Sequence, residues 1–187
     1  MKKLAFPILL LTLVMASLAC TIFVGGPAYP AQTIPVSTEA AQSIQDQIQQ
    51  ALTADAATGA ISLQFNESQL TSYLAQKLDE QANPIMTDPQ VFLRDGQVQV
   101  YGKVQRGLFA ANVAIILSAS VDEAGQPKIE VVSADFGPLP APQGLNEAIS
   151  AVVNEAYTGS LGPAATGFRL ESITIADGLI TLSGRVK

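Results

Sequence analysis

The chain contains no histidine, and its only cysteine is Cys20. Without an imidazole there can be no Ser-His-Asp or Cys-His nucleophile pair and no histidine-ligated metal. A lone cysteine cannot close an intramolecular disulfide, so an oxidising compartment gives it no structural role. Phosphate-cradling loops are missing too, because Gly159, Gly162 and Gly167 match neither nucleotide-binding fingerprint. The Thr158-Gly-Ser-Leu-Gly162 run has the wrong glycine spacing for a nucleophile elbow and reads as a helix stop. No cofactor is called for, and the chain reads as a non-enzyme.

Basic side chains are scarce as well: 10 Lys and Arg stand against 16 Asp and Glu, a net charge of −6. Removing Lys2 and Lys3 with a leader would leave 8 basic and 16 acidic side chains, and a net charge of −8. That balance argues against nucleic acid as a partner and against electrostatic adsorption to anionic lipid heads.

The first residues read as an address. Lys2 and Lys3 precede an apolar run from Leu4 to Ala16, and Ser17, Leu18 and Ala19 supply small residues before Cys20. A run of 13 residues falls short of the ~20 needed to span a bilayer, so residues 1–19 read as a cleaved signal peptide. Ser17-Leu18-Ala19-Cys20 resembles the bacterial lipobox, whose cysteine receives acyl chains such as palmitate. The family prefers leucine three places before the cysteine, and here it stands two before. Cys20 is therefore expected to carry a membrane anchor in a bacterial cell envelope. The competing reading is ordinary secretion with the same cut and an incidental thiol. Residues 21–36, with two glycines and three prolines and no helical or strand period, complete a tether over 20–36. Residues 37–187 remain as a single domain with a sizeable core.

Two segments of that domain resemble each other. Asp95-Gly96-Gln-Val-Gln-Val-Tyr-Gly102-Lys-Val104 aligns without gaps on Asp177-Gly178-Leu-Ile-Thr-Leu-Ser-Gly184-Arg-Val186. Asp-Gly pairs signal two-residue hairpin loops, since a type I′ turn needs positive φ at both central positions. Such loops set Leu93 opposite Val98 and Val91 opposite Val100, then Ile175 opposite Ile180 and Ile173 opposite Leu182. All eight are apolar, and a one-residue slip would mix the faces. From Phe109 to Val121 every second residue is apolar, predicting a strand of 13 residues, or ~43 Å. Lys128–Phe136 returns from the Asp122-Glu123-Ala124-Gly125 loop, so 89–136 reads as a four-stranded antiparallel meander.

Three helices are predicted. Thr38 to Ala56 carries Ile44, Ile48 and Leu52 at four-residue spacing. Asn66 can cap a second helix with Gln69 at the capping-box position and a stripe of Leu70, Tyr73, Leu74 and Leu78. The third follows the Gly137–Pro142 breaker, buries Leu145, Ile149, Val152, Val153 and Ala156, and stops at Gly159. With a short strand at Ile61–Phe65 the class is α+β: a long, curved antiparallel sheet with two to three helices on one face.

The acids that could do chemistry have structural explanations beside them. Asp122 and Glu123 fall at a strand end, where a solvated turn accounts for them. Asp95 and Asp177 could be paired carboxylates, yet Asp-Gly turn chemistry explains both. Asn66-Glu67-Ser68 matches a glycosylation acceptor, but helix capping also explains Asn66.

Taken together, several features resemble the LmeA-type phospholipid-binding proteins, related in architecture to tubular lipid-binding domains. They are the helix opening Ser68-Gln-Leu-Thr-Ser-Tyr-Leu-Ala-Gln-Lys77, the Asp95-Gly96 hairpin, the long apolar strand, the Gly137-Pro-Leu-Pro connection and the closing Ile175–Gly184 hairpin. The likeness covers residues 60–187. It implies a curved sheet folded around helices with an acyl chain held in the resulting groove. No head-group ligand is implied. The residues themselves leave two outcomes open. A stripe of ~43 Å outruns a 15-residue helix of ~22 Å, so either two helices roof it into a plain core or one leaves a groove. In the groove reading the lining is Phe109, Val113, Ile115 and Leu117, facing Leu145, Ile149 and Val152, and the partner is a lipid. In the plain-core reading the domain is a non-catalytic envelope module that binds another protein.

Overall fold

The computed structural model describes residues 21–54, 59–141, 143–145, 147, 149, 151 and 168–186. The proposed leader and Cys20 lie outside these residues. The elements run β1 (Ile22–Phe23), α1 (Thr38–Ala54), β2 (Ala60–Asn66), α2 (Glu67–Asp79), β3 (Thr87–Arg94), β4 (Gln97–Arg106), β5 (Phe109–Val121), β6 (Pro127–Asp135), β7 (Phe168–Ala176) and β8 (Leu179–Val186). The fold is α+β, with curled sheets packed against helices. Of the third helix, Leu145, Glu147, Ile149 and Ala151 are helical. Val152, Val153, Ala156 and the stop at Gly159 lie outside the described residues.

The strands divide into two sheets rather than one. The meander β3–β4–β5–β6 is antiparallel throughout, and β1 joins the same edge of β5 as a parallel pair. The second sheet has the order β2–β8–β7. The two Asp-Gly hairpins therefore belong to different sheets. Their registers are those the apolar pattern demands: Val91 pairs with Val100 and Leu93 with Val98, while Ile173 pairs with Leu182 and Ile175 with Ile180. Asp95 and Gly96 have φ of 54° and 72°, and Asp177 and Gly178 of 52° and 75°, the left-handed values a type I′ turn requires. Register shifts between Thr87 and Gln90, Ile116 and Leu117, and Leu170 and Ser172 mark bulges, each of which adds local twist and bend. The sheets are joined where the Leu170 N–H donates to the Gly125 carbonyl at 3.0 Å and Arg169 donates to the Glu123 carbonyl at 3.1 Å.

Helix α2 holds this arrangement through polar groups. Asn66 caps it with a reciprocal capping box: its Oδ1 accepts from the Gln69 N–H, and its own N–H donates to Gln69 Oε1, both at 2.9 Å. Buried Gln69 also donates from Nε2 to Ser43 of α1 at 2.7 Å. Thr71 Oγ1 accepts from the Val91 N–H at 3.0 Å, and Glu67 Oε1 accepts from the Leu93 N–H at 2.9 Å. The outer edge of β3 is thus satisfied by side chains of a helix. Ser72, almost fully buried, accepts from the Ser37 N–H at the head of α1.

Composition leads one to expect a free tether over 20–36, but residues 21–37 lie along the domain as a strap. Ile22 and Val24 donate to the carbonyls of Leu108 and Ala110, and Asn112 donates back to the Gly25 carbonyl. Asn112 Nδ2 bonds the Pro27 carbonyl, the Tyr29 hydroxyl donates to the Asp88 carbonyl, and the buried Gln90 amide bonds both polar groups of Ile34. The Pro/Gly content that reads as flexibility serves close approach instead. Gly26 has φ of 114°, and a Cβ there would come within 2.3 Å of the Asn112 carbonyl oxygen.

Two outcomes follow from these contacts. Thr71→Val strands a buried Val91 N–H and should cost about 1–3 kcal/mol in chemical denaturation. Loss below ~0.5 kcal/mol would show that α2 does not close the β3 edge. Gly26→Ala should speed hydrogen exchange at the Ile22, Val24 and Asn112 amides while leaving the amides that pair β3, β4 and β5 with one another protected. Unchanged exchange at those three amides would refute the docked strap.

Candidate functional site

An apolar cavity of about 310 Å3, partly open to solvent, lies between the two sheets and both helices. Each wall comes from an amphipathic face already noted. Ile44 and Ile48 enter from α1, and Leu70, Tyr73, Leu74 and Leu78 from α2. Leu63, Phe65, Leu170, Ile173, Ile180 and Leu182 come from the β2–β8–β7 sheet. Val91, Val98, Val100, Ile115, Leu117 and Ala119 come from the meander, with Pro127 and Ile129 at the start of β6. Ile85, Met86 and Ile149 complete it. No charged side chain is among them. Among the described lining residues, Tyr73 carries the one side-chain hydroxyl.

The alternation in β2 shows how the chain builds such a wall. Ile61, Leu63 and Phe65 are buried and the residues between them exposed. Leu63 pairs with Leu182 and Phe65 with Ile180, and those side chains form the wall opposite the meander. Because α1 belongs with the β2–β8–β7 cluster and α2 reaches both clusters through Leu70, the helices do not lie flush on either sheet. A gap is left where the two apolar faces meet.

The structure divides the seven expected lining residues. Ile115, Leu117 and Ile149 line the cavity. Val113 does not: it is fully buried in the meander's core cluster, as are Val104, Ala111 and Phe136, which also stand off the cavity wall. Phe109, at the start of β5, is exposed. Leu145 packs against that core cluster and is not on the cavity wall. Val152 lies outside the described residues. The lining residues that sequence reasoning did not name belong to α1, α2 and the hairpin faces. Their signal was present in the apolar stripes, but linking them needed the knowledge that two sheets face each other.

A second, wider cleft of about 1010 Å3 opens between the two hairpin tips. It brings Asp95 and Asp177 to one surface, together with Asn66, Glu67 and Arg94. Glu67 pairs there with Arg94 while accepting the Leu93 N–H, so its carboxylate serves the fold. Among the described residues no group of three acid or cysteine side chains is placed to hold a metal ion. Asp122 accepts from the Gln126 and Gly125 N–H groups as a turn residue does. No family model, curated protein or solved structure matches this chain.

If the cavity holds a ligand, filling it should evict the ligand without harming the fold. Ala119→Trp places an indole into the space, and lipid uptake should fall at least tenfold with the melting temperature unchanged or raised. A drop of several degrees, the signature of overpacking a full core, would mean that the space is not available.

Proposed function

We propose that this chain is an exported lipoprotein, anchored in a bacterial cell envelope through acylated Cys20, whose domain binds a lipid or similar apolar ligand. The observation that carries the reading is the apolar cavity between the sheets and helices. Its volume of about 310 Å3 falls at the lower end of the ~300–1,000 Å3 of ligand pockets. A filled core, the basis of the competing interaction-module reading, would leave no such space.

The wall chemistry selects the ligand class. With no charged side chain among the described lining residues, a polar head group would be left unpaired inside, whereas an acyl chain gains ~0.8 kcal/mol for each methylene buried. The ligand therefore enters tail first, and its head stays at the mouth. The domain acts as a carrier or sensor of lipid, not as a catalyst. The resemblance to LmeA-type proteins supports the same mode, a tail held between curved sheet and helices.

Native mass spectrometry of the full chain, expressed in bacteria and extracted in mild detergent, tests this. The expected spectrum has an acylated mature protein plus one noncovalent lipid mass, and the stripped protein should take up a fluorescent fatty acid that palmitate displaces. No copurified lipid and no uptake would sink the lipid reading. The exposed edge of β6, which carries Val132, would then become the place to look for a protein partner.

A further inference from the structure

Seven large apolar side chains are exposed among the described residues, and four of them meet at one corner. Ile22, Phe23, Leu108 and Phe109 are each 47–62% exposed, whereas Val36, Val132 and Leu179 stand singly. The corner is formed where β1 runs beside the start of β5. Ile22 pairs with Phe109 and Phe23 with Ala110, and the Ile22 N–H donates to the Leu108 carbonyl at 2.7 Å. Since side chains alternate along a strand, Ile22 and Phe109 share one face of the sheet and Phe23 takes the other. Leu108 sits at the hairpin tip between them. An apolar edge with side chains on both faces has the form of a wedge.

Charge is distributed to match. All 16 acidic residues fall between Glu39 and Asp177, yet none occurs in 21–38 or 96–121, the two stretches that build the corner. The nearest ionised group on the tip is Arg106, exposed and paired across the hairpin with Phe109. Its guanidinium can meet a phosphate bidentately. On a protein this acidic, a corner without carboxylates is one that an anionic phospholipid surface does not repel. Position agrees as well. Cys20 stands two residues before Ile22, so an acyl group there leaves the chain within ~7 Å of the corner.

We infer that this corner is a second membrane contact: Ile22, Phe23, Leu108 and Phe109 insert into the lipid interface and Arg106 engages head-group phosphate. The occupant is a phospholipid bilayer. The inference rests on the proposed anchoring for its geometry but not on the cavity's ligand. Acyl chains at Cys20 would hold the chain to the bilayer but leave the domain free to pivot about them. The wedge fixes the orientation of the domain on the surface.

The chain has no tryptophan, so Phe109→Trp creates its only indole. The full chain carrying that substitution is mixed with phosphatidylcholine–phosphatidylglycerol vesicles, with Val132→Trp as the control. Trp fluorescence at position 109 should shift to the blue, be quenched by lipids brominated along the acyl chain, and be shielded from iodide. The position 132 control should show none of these. Phe23→Ser combined with Phe109→Ser should lower vesicle partitioning at least tenfold while leaving the noncovalent lipid mass in place. Equal iodide access at both positions on vesicles would overturn the proposal. So would a blue shift without vesicles: one growing with protein concentration means a second copy covers the corner, and a concentration-independent one means the chain's own apolar leader does. Mass spectrometry reads acylation and cavity lipid separately. An unacylated Cys20 or an empty cavity therefore counts against the proposed function and leaves the wedge measurement intact.

Discussion

The N–H groups on the outer edge of β3 have no strand to receive them, and α2 takes them instead. Thr71 and Glu67, one turn apart on the same helix face, accept from Val91 and Leu93, which are two apart on the strand. The match between a helical rise of ~6 Å over four residues and a strand rise of ~6.6 Å over two makes this possible. An unmade bond at a buried N–H costs ~1–3 kcal/mol, so the contact fixes both where the helix sits and how it is turned. It also removes an edge that would otherwise invite pairing with another chain.

That docking determines the cavity. A helix held at the rim of a sheet by hydrogen bonds cannot also lie flat over its apolar face. Thr71 and Ser72 are among the most deeply buried side chains described, and they occupy positions that an ordinary amphipathic helix would give to leucine. The apolar stripe of α2 is turned partly toward the space between the sheets, where Leu70, Leu74 and Leu78 meet the opposite wall. The polar stitch and the unfilled apolar space have the same cause.

Local structure was legible in the sequence wherever one interaction decided it. Both hairpin registers follow from Asp-Gly turns combined with alternation, and the α2 cap follows from Asn66 and Gln69, because each is settled within a few residues. The 13-residue length of β5 follows from its period alone. What could not be read was which apolar faces oppose one another. Val113 and Leu117 obey the same alternation and belong to one core cluster, yet the first is closed in while the second stands at the cavity. The strap was hidden for a different reason. Two glycines and three prolines weaken secondary structure, but they do not prevent docking when the partner segment offers unpaired carbonyls, as Leu108 in the turn before β5 and Ala110 within it do.

The size of the cavity is itself an energetic argument. The cavity of about 310 Å3 is partly open to solvent, so its apolar walls face water, and each square ångström left uncovered forgoes ~25 cal/mol of burial. A chain that closes its β3 edge so thoroughly, and caps its helices with Ser37 and Asn66, has ample means to fill the space with one larger side chain at Ala119. Keeping alanine there leaves those walls uncovered. An apolar occupant would cover them and so stabilise the folded state by linkage, with burial of wall and occupant together as the driving force.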